Sequence, residues 1–224
     1  MSQSTDDKLP LKNSMQVSLE KTIGRSDLSS LARDLDEVAL DTLLEPGVLR
    51  DIPILGALAK GANVVFSVRD WLFLRKLSKV LLCLDSVPLA TRNEFSERLN
   101  SDPNFRQRLM DGMILLIERL DDMEKADLFG KIFSAYVSSL IAYDDFRILG
   151  YALDRVYLTD LHTLKEFYSS PTPTENFRKE HYEGLWRLTM CGLVCIADAS
   201  IGQRARGEFG LNKVGKQFTR IAME

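Results

Sequence analysis

An apolar repeat of helical period, in steps of three to five residues, runs from residue 26 to residue 168, and no other feature restricts the fold as tightly. A stripe with this period buries one face of a helix and leaves the other face wet. It is first seen in SDLSSLARDLDEVALDTLLEPG, where Leu28, Leu31, Leu35, Val38 and Leu43 recur at helical steps. Ser26 suits the N-cap there, Asp27 the first turn, and Pro46-Gly47 the stop. Farther on, Asp102-Pro103 puts a capping side chain before a proline at the first helical position. The stripe that follows is Phe105, Leu109, Met113, Leu116, Ile117 and Leu120. Asp121 or Asp122 opens the next helix, which carries Met123, Ala126, Phe129, Phe133, Tyr136, Val137 and Leu140. Asp144 is expected to cap a helix through Phe146, Leu149, Leu153 and Val156, and Thr159 to open a short one through Leu161, Leu164 and Phe167. Connections of two to five residues favour antiparallel neighbours, so residues 26–168 read as a compact multi-helix bundle.

IPILGALAKGANVVFSVRDWLFLRK, residues 52–76, interrupts this regularity. At 100° per residue, Lys60, Asn63, Ser67 and Asp70 share a sector of about 80°, which leaves a wide apolar face. Arg69, Arg75, Lys76 and Lys79 fall on a different side, opposite Phe73, Leu77, Val80, Leu81 and Leu84. One straight helix cannot present both stripes, so a break is expected at 67–71. The uncharged runs are shorter than the roughly twenty residues of a spanning helix. Three readings stand: a buried core hairpin, a peripheral membrane or pore-forming face, and a groove or dimer interface. The candidate partner or membrane face comprises Leu58, Phe66, Trp71, Arg75 and Lys76. Trp71 beside basic residues suits a headgroup region, whereas Asp70 opposes anionic lipid.

SSPTPTEN, residues 169–176, is the natural boundary, with two prolines and no apolar side chain. Beyond it a helix is expected to about Gly192, then two extended runs, LVCIADA and EFGLNKV, around the loop SIGQRARG, then a terminal helix. Helix, Gly192-Leu193-Val194, strand, basic loop, a returning strand from Phe209 to Lys213 and Gly215 before the last helix resemble the second half of a winged-helix module. That resemblance covers about a fifth of the chain and implies a small α+β unit over 177–224. Likeness of fold alone carries no function.

The composition matches a folded globular chain: 224 residues, 45% hydrophobic, 27% charged, net charge −3. The net charge gives no strong field toward nucleic acid or anionic lipid. Residues 177–224 hold eight Lys and Arg against five Asp and Glu. Arg204, Arg206, Lys213 and Lys216 are therefore the candidate nucleic-acid contacts, although the helix before them is mostly apolar. Three cysteines, Cys83, Cys191 and Cys195, sit in apolar surroundings and read as free thiols of a reducing compartment. With only His162 and His181 beside them, a zinc site lacks ligands. No nucleophile elbow, phosphate loop, HExxH or dinucleotide fingerprint occurs. Asp121-Asp122 and Asp144-Asp145 read as helix caps, since adjacent residues diverge on a helix. No catalytic residue, cofactor or metal is therefore expected. Residues 1–25 begin MSQSTDDKLPLKNS, without a secretion signal, and are expected to form a poorly ordered tail. The cytoplasm is the expected location, with the periphery of the inner membrane as the alternative.

IPILGALAKGANVVFSVRDWLFLRKLSKVL, then KADLFGKIFSAYV and a helix beginning YDDF, resemble an uncharacterised helical family of prophages and other bacterial mobile elements. The resemblance covers residues 50–168 and implies a role in phage exclusion or host interaction, without catalytic residues to transfer. The expected function is that of a non-enzymatic interaction protein with a protein partner or a second copy of itself, in phage defence or superinfection immunity. A membrane-acting effector exposing residues 52–74 and a DNA-binding regulator are the alternatives.

Overall fold

The computed structural model describes residue 19 and residues 21–37, 67–169, 174–197 and 208–223. These residues are mainly helical and carry a two-stranded antiparallel sheet near the C-terminus. The chain divides into two compact units, residues 1–130 and 131–224.

In the first unit, α1 (Leu28–Glu37) lies along α2 (Val68–Asp85). Leu28 and Ala32 are buried on α1, and Phe73, Leu74, Leu77, Val80, Leu81 and Leu84 on α2. Val38, Leu43, Pro46-Gly47 and residues 52–66 lie outside the described residues. Ser67 is extended (φ −99°, ψ 163°) and caps α2, so a helical boundary falls where the break was expected. Its hydroxyl accepts from the Asp70 amide, while the Asp70 carboxylate accepts from the Ser67 amide at 2.8 Å. Two of the four orphan donors of the helix start are thus satisfied within one turn.

Next comes α3 (Leu89–Ser101), a helix that the apolar repeat does not announce. Only Arg92, Phe95 and Leu99 are buried on it, one of them charged. α4 (Pro103–Arg119) opens as expected, with Asp102 accepting from the Phe105 amide at 2.9 Å. Leu109, Met110, Met113 and Ile117 form its buried stripe. At the start of α5 (Met123–Val137), Asp122 accepts from the Glu124 amide at 2.7 Å, whereas Asp121 pairs with the buried Lys125 at 2.8 Å.

The second unit holds the end of α5, α6 (Tyr143–Arg155), a 3-10 turn (Leu158–Asp160), α7 (Leu161–Ser169), α8 (Glu175–Glu180) and α9 (Tyr182–Met190). Then follow β1 (Cys195–Ala197), β2 (Glu208–Gly210) and α10 (Lys213–Ala222). α5 stops in a Schellman turn: the Leu140 amide donates to Ala135 O and the Ser139 amide to Tyr136 O, both at 2.9 Å. Leu140, expected on the apolar stripe, is therefore carried out to solvent. Ser139 occupies the left-handed position of that turn with φ 58°, where a Cβ is strained. Ser139→Gly is expected to raise stability by about 0.5–1 kcal/mol, read as an increase in the urea midpoint.

α6 begins at Tyr143 behind an extended Ala142, with no side-chain cap. Asp144 is thus not the cap expected of it; both acids sit in the first turn, where the helix dipole favours negative charge. Tyr136 stacks on Phe146 at 4.9 Å, and Phe133 lies 5.8 Å from the same ring. Thr159 lies inside the 3-10 turn, and the α-helix proper starts at Leu161.

After α9 the chain reverses through Gly192 (φ +77°), with Leu193 N donating to Leu188 O and Gly192 N to Thr189 O. Cys191 closes α9 and Cys195 stands on β1, so the two do not share a helix face. β1 pairs with β2 in the register Cys195↔Gly210, Ile196↔Phe209, Ala197↔Glu208. The second run stops being extended sooner than expected. Asn212 caps α10 by accepting from the Gly215 amide at 2.7 Å, and Lys213 and Val214 already belong to the helix. α10 packs on α6 and α7, so residues 177–223 share a core with 143–169 across the segment read as a boundary. The Tyr168 hydroxyl fastens this corner, donating to Leu193 O at 2.7 Å and accepting from the Asn212 amide at 3.0 Å.

Candidate functional site

Of the candidate face at 52–76, Leu58 and Phe66 lie outside the described residues. Trp71 is half-buried, with the Arg75 guanidinium 5.2 Å from its ring centroid. Lys76 does not belong to any outward face. It is 9% exposed, and its Nζ donates to the carbonyls of Glu118 at 3.1 Å and Leu120 at 2.6 Å. An ammonium there satisfies orphan carbonyls at the end of α4 and meets the negative end of its dipole. Burial pulls the Lys76 pKa down, and Glu118 and Asp121 act against that pull. Arg69 pairs with Glu118, and Lys79 with Asp127 at 3.0 Å. Three members of the basic stripe thus hold α4 and α5.

The acid pairs are likewise divided between structural tasks. Asp145 accepts from Lys213 Nζ at 3.2 Å and from Gln217 Nε2 at 3.3 Å, joining α6 to α10. Those two donors hold its carboxyl below the usual range. Lys213, a candidate nucleic-acid contact, is therefore engaged within its own unit. Lys216 is exposed, and Arg204 and Arg206 lie outside the described residues. His162 Nε2 lies 3.6 Å from Glu166 on the surface of α7, and the His181 ring stacks on Phe177 at 4.2 Å. Among the described residues no group of three His, Cys, Asp or Glu side chains is placed to hold a metal ion. No helix among them is long and apolar enough to cross a membrane.

α9 brings together a surface that the sequence reading did not single out. Gly184, Leu185 and Leu188 face inward. Tyr182, Trp186 and Met190, one turn apart, face solvent with exposures of 53%, 44% and 71%. The Tyr182 and Trp186 rings meet Phe209 edge-on at 5.6 and 6.3 Å, and this covers Phe209. Ile196 is Phe209's partner across the sheet and shares its face, still 42% exposed. These side chains form one apolar patch over helix and hairpin.

The patch is held rigidly. Arg187, beside it on α9, donates from Nε at 2.8 Å and from a terminal nitrogen at 2.6 Å to the buried Asp160 carboxylate. A forked pair of this kind fixes the rotation of α9 about its axis. Gly184 lies beside this pair, and a Cβ there would meet Asp160 Oδ1 at an ordinary contact distance of 3.4 Å. The one sequence signal for the patch is large apolar residues at 182, 186 and 190, offset from the inward pair at 185 and 188. Comparison with protein-family models, with curated proteins and with solved structures gives no match.

Proposed function

We propose that this protein acts by binding rather than by catalysis, as an interaction module whose contact surface is the patch on α9 and the hairpin. The observation that carries the reading is the exposure of Tyr182, Trp186, Met190 and Ile196 around Phe209. Aromatic and Met side chains are enriched at the centres of protein interfaces. The rigid seat of α9 on Asp160 lowers the ordering cost of contact. The resemblance to helical families of mobile elements directs the role to phage defence or superinfection immunity. The membrane-effector reading draws less support, since Lys76 is buried against the carbonyls that end α4 and Lys79 is paired with Asp127, which takes both out of an outward basic rim.

A photo-cross-linking amino acid placed at Met190 tests the reading in bacteria, with the same group at Arg220 as control. Discrete protein adducts from position 190, absent from position 220, are the expected result. Equal or absent labelling at the two positions sinks the reading.

A further inference from the structure

The α9 surface is ordered so that a copy of itself complements it. Along the helix the outward apolar stripe reads Tyr182, Trp186, Met190, with the indole in the middle. Beside it, on one edge, stand one acid and one base a turn apart, Glu183 and Arg187. A foreign partner of one dominant charge would find no matching rim there. An antiparallel second copy does. A two-fold axis near Trp186 sets the two indoles together and places Tyr182 of each copy against Met190 of the other. The same axis leaves Glu183 of each about two residues, roughly 3 Å of helix rise, from the level of Arg187 of the other, within reach of the long guanidinium side chain.

Thioether–aromatic contacts are favourable, and isologous interfaces require this kind of self-match. Arg187 spends two donors on Asp160, and a guanidinium has five. The area agrees as well. Tyr182, Trp186, Met190 and Ile196 together expose roughly 400–500 Å² of apolar side chain, judged from side-chain size. Interfaces are about 60% apolar, so such a patch corresponds to about 700–800 Å² per partner, the standard size of a specific interface.

We infer that the occupant of this face is a second copy of the chain, docked through antiparallel α9 helices crossing at Trp186. The inference rests on the reading of this face as a contact surface. Sedimentation of the full chain from about 1 to about 100 µM tests it, and a dimer with Kd on the order of 1–10 µM is expected. Met190→Glu and Trp186→Glu should each raise that Kd at least about tenfold, and Glu183→Arg should raise it by less. Met190→Glu alters only an exposed side chain, so its unchanged thermal midpoint separates lost docking from lost folding. At position 190 the cross-linker should give a band at twice the chain mass.

A wild type that stays monomeric at about 100 µM overturns the dimer, as does a dimer indifferent to both Glu substitutions. Adducts from position 190 to other proteins alone, with a monomeric wild type, reject the second copy and keep the contact surface. No adducts at all reject both.

Discussion

Gly215→Ala is expected to destabilise the second unit by about 3–5 kcal/mol, since it combines overpacking with broken hydrogen bonds. A Cβ at Gly215 would stand 1.9 Å from Leu193 O and 2.1 Å from the Tyr168 hydroxyl oxygen. Neither neighbour can yield cheaply. Leu193 O is backbone in the reversal that leads to β1, and the Tyr168 hydroxyl is held by Leu193 O and the Asn212 amide. Asn212 is also committed, accepting from the Gly215 amide and donating from Nδ2 to Gly192 O at 3.1 Å. The added methyl must separate α10 from the turn after α9 and leave several of these groups unpaired.

Urea unfolding followed by Trp186 fluorescence, with Trp71→Phe in both the reference and the variant so that the signal comes from the second unit, measures the loss. Gly112→Ala is the control, since nothing lies within 4 Å of a Cβ in that exposed turn of α4. There alanine should stabilise by about 0.5–1 kcal/mol through helix propensity alone. Equal effects at the two glycines would show that contact at Gly215 is unimportant.

The second large effect is expected at Arg92, which is 3% exposed. Its guanidinium donates to three carbonyls: from Nε to Val87 O at 3.1 Å, and from a terminal nitrogen to Ile23 O at 3.1 Å and Arg25 O at 2.7 Å. These bonds tie the turn after residues 21–23 to the start of α3. Arg92→Met keeps much of the volume and removes every donor. Buried carbonyls left unpaired should cost about 2–4 kcal/mol. Arg92→Lys should recover part of this, because an ammonium donates without the reach of the fork. Hydrogen exchange localises the outcome: residues 21–37 should lose protection first in Arg92→Met. Protection unchanged there would mean that the Arg92 bonds do not hold this segment.

Sequence and structure part company at particular residues. The repeat made α2, α4, α5, α6 and α7 legible, because large apolar side chains carried it. It missed α3, since a method that counts apolar residues discards a buried arginine; only Phe95 and Leu99, one turn apart, marked that helix. Asp144 looked like a cap because acids favour helix starts, yet the first turn of α6 uses Asp145 to reach α10. The winged order after α9 was readable from Gly192, whose φ of +77° suits a residue without a Cβ. On α9, the apolar residues of the helix expected up to Gly192 do not by themselves say which face Trp186 occupies. Its outward position became visible only once Leu185 and Leu188 were seen facing in.

The sequence by itself determined what is settled within a turn or two of chain. That covers helix content, the caps at Asp102 and Asp122, the boundary at Ser67 and the reversal at Gly192. Such features depend on interactions between residues a few positions apart, which any window of sequence contains. The tertiary structure alone decided the fate of the charged residues and the identity of the exposed face. Lys76 finds its carbonyl 42 residues away, Asp145 its lysine 68 and Arg92 its carbonyl 69. No local pattern encodes such pairings, because each is chosen by which helices pack together. The same packing buries Leu185 and leaves Tyr182, Trp186 and Met190 facing solvent.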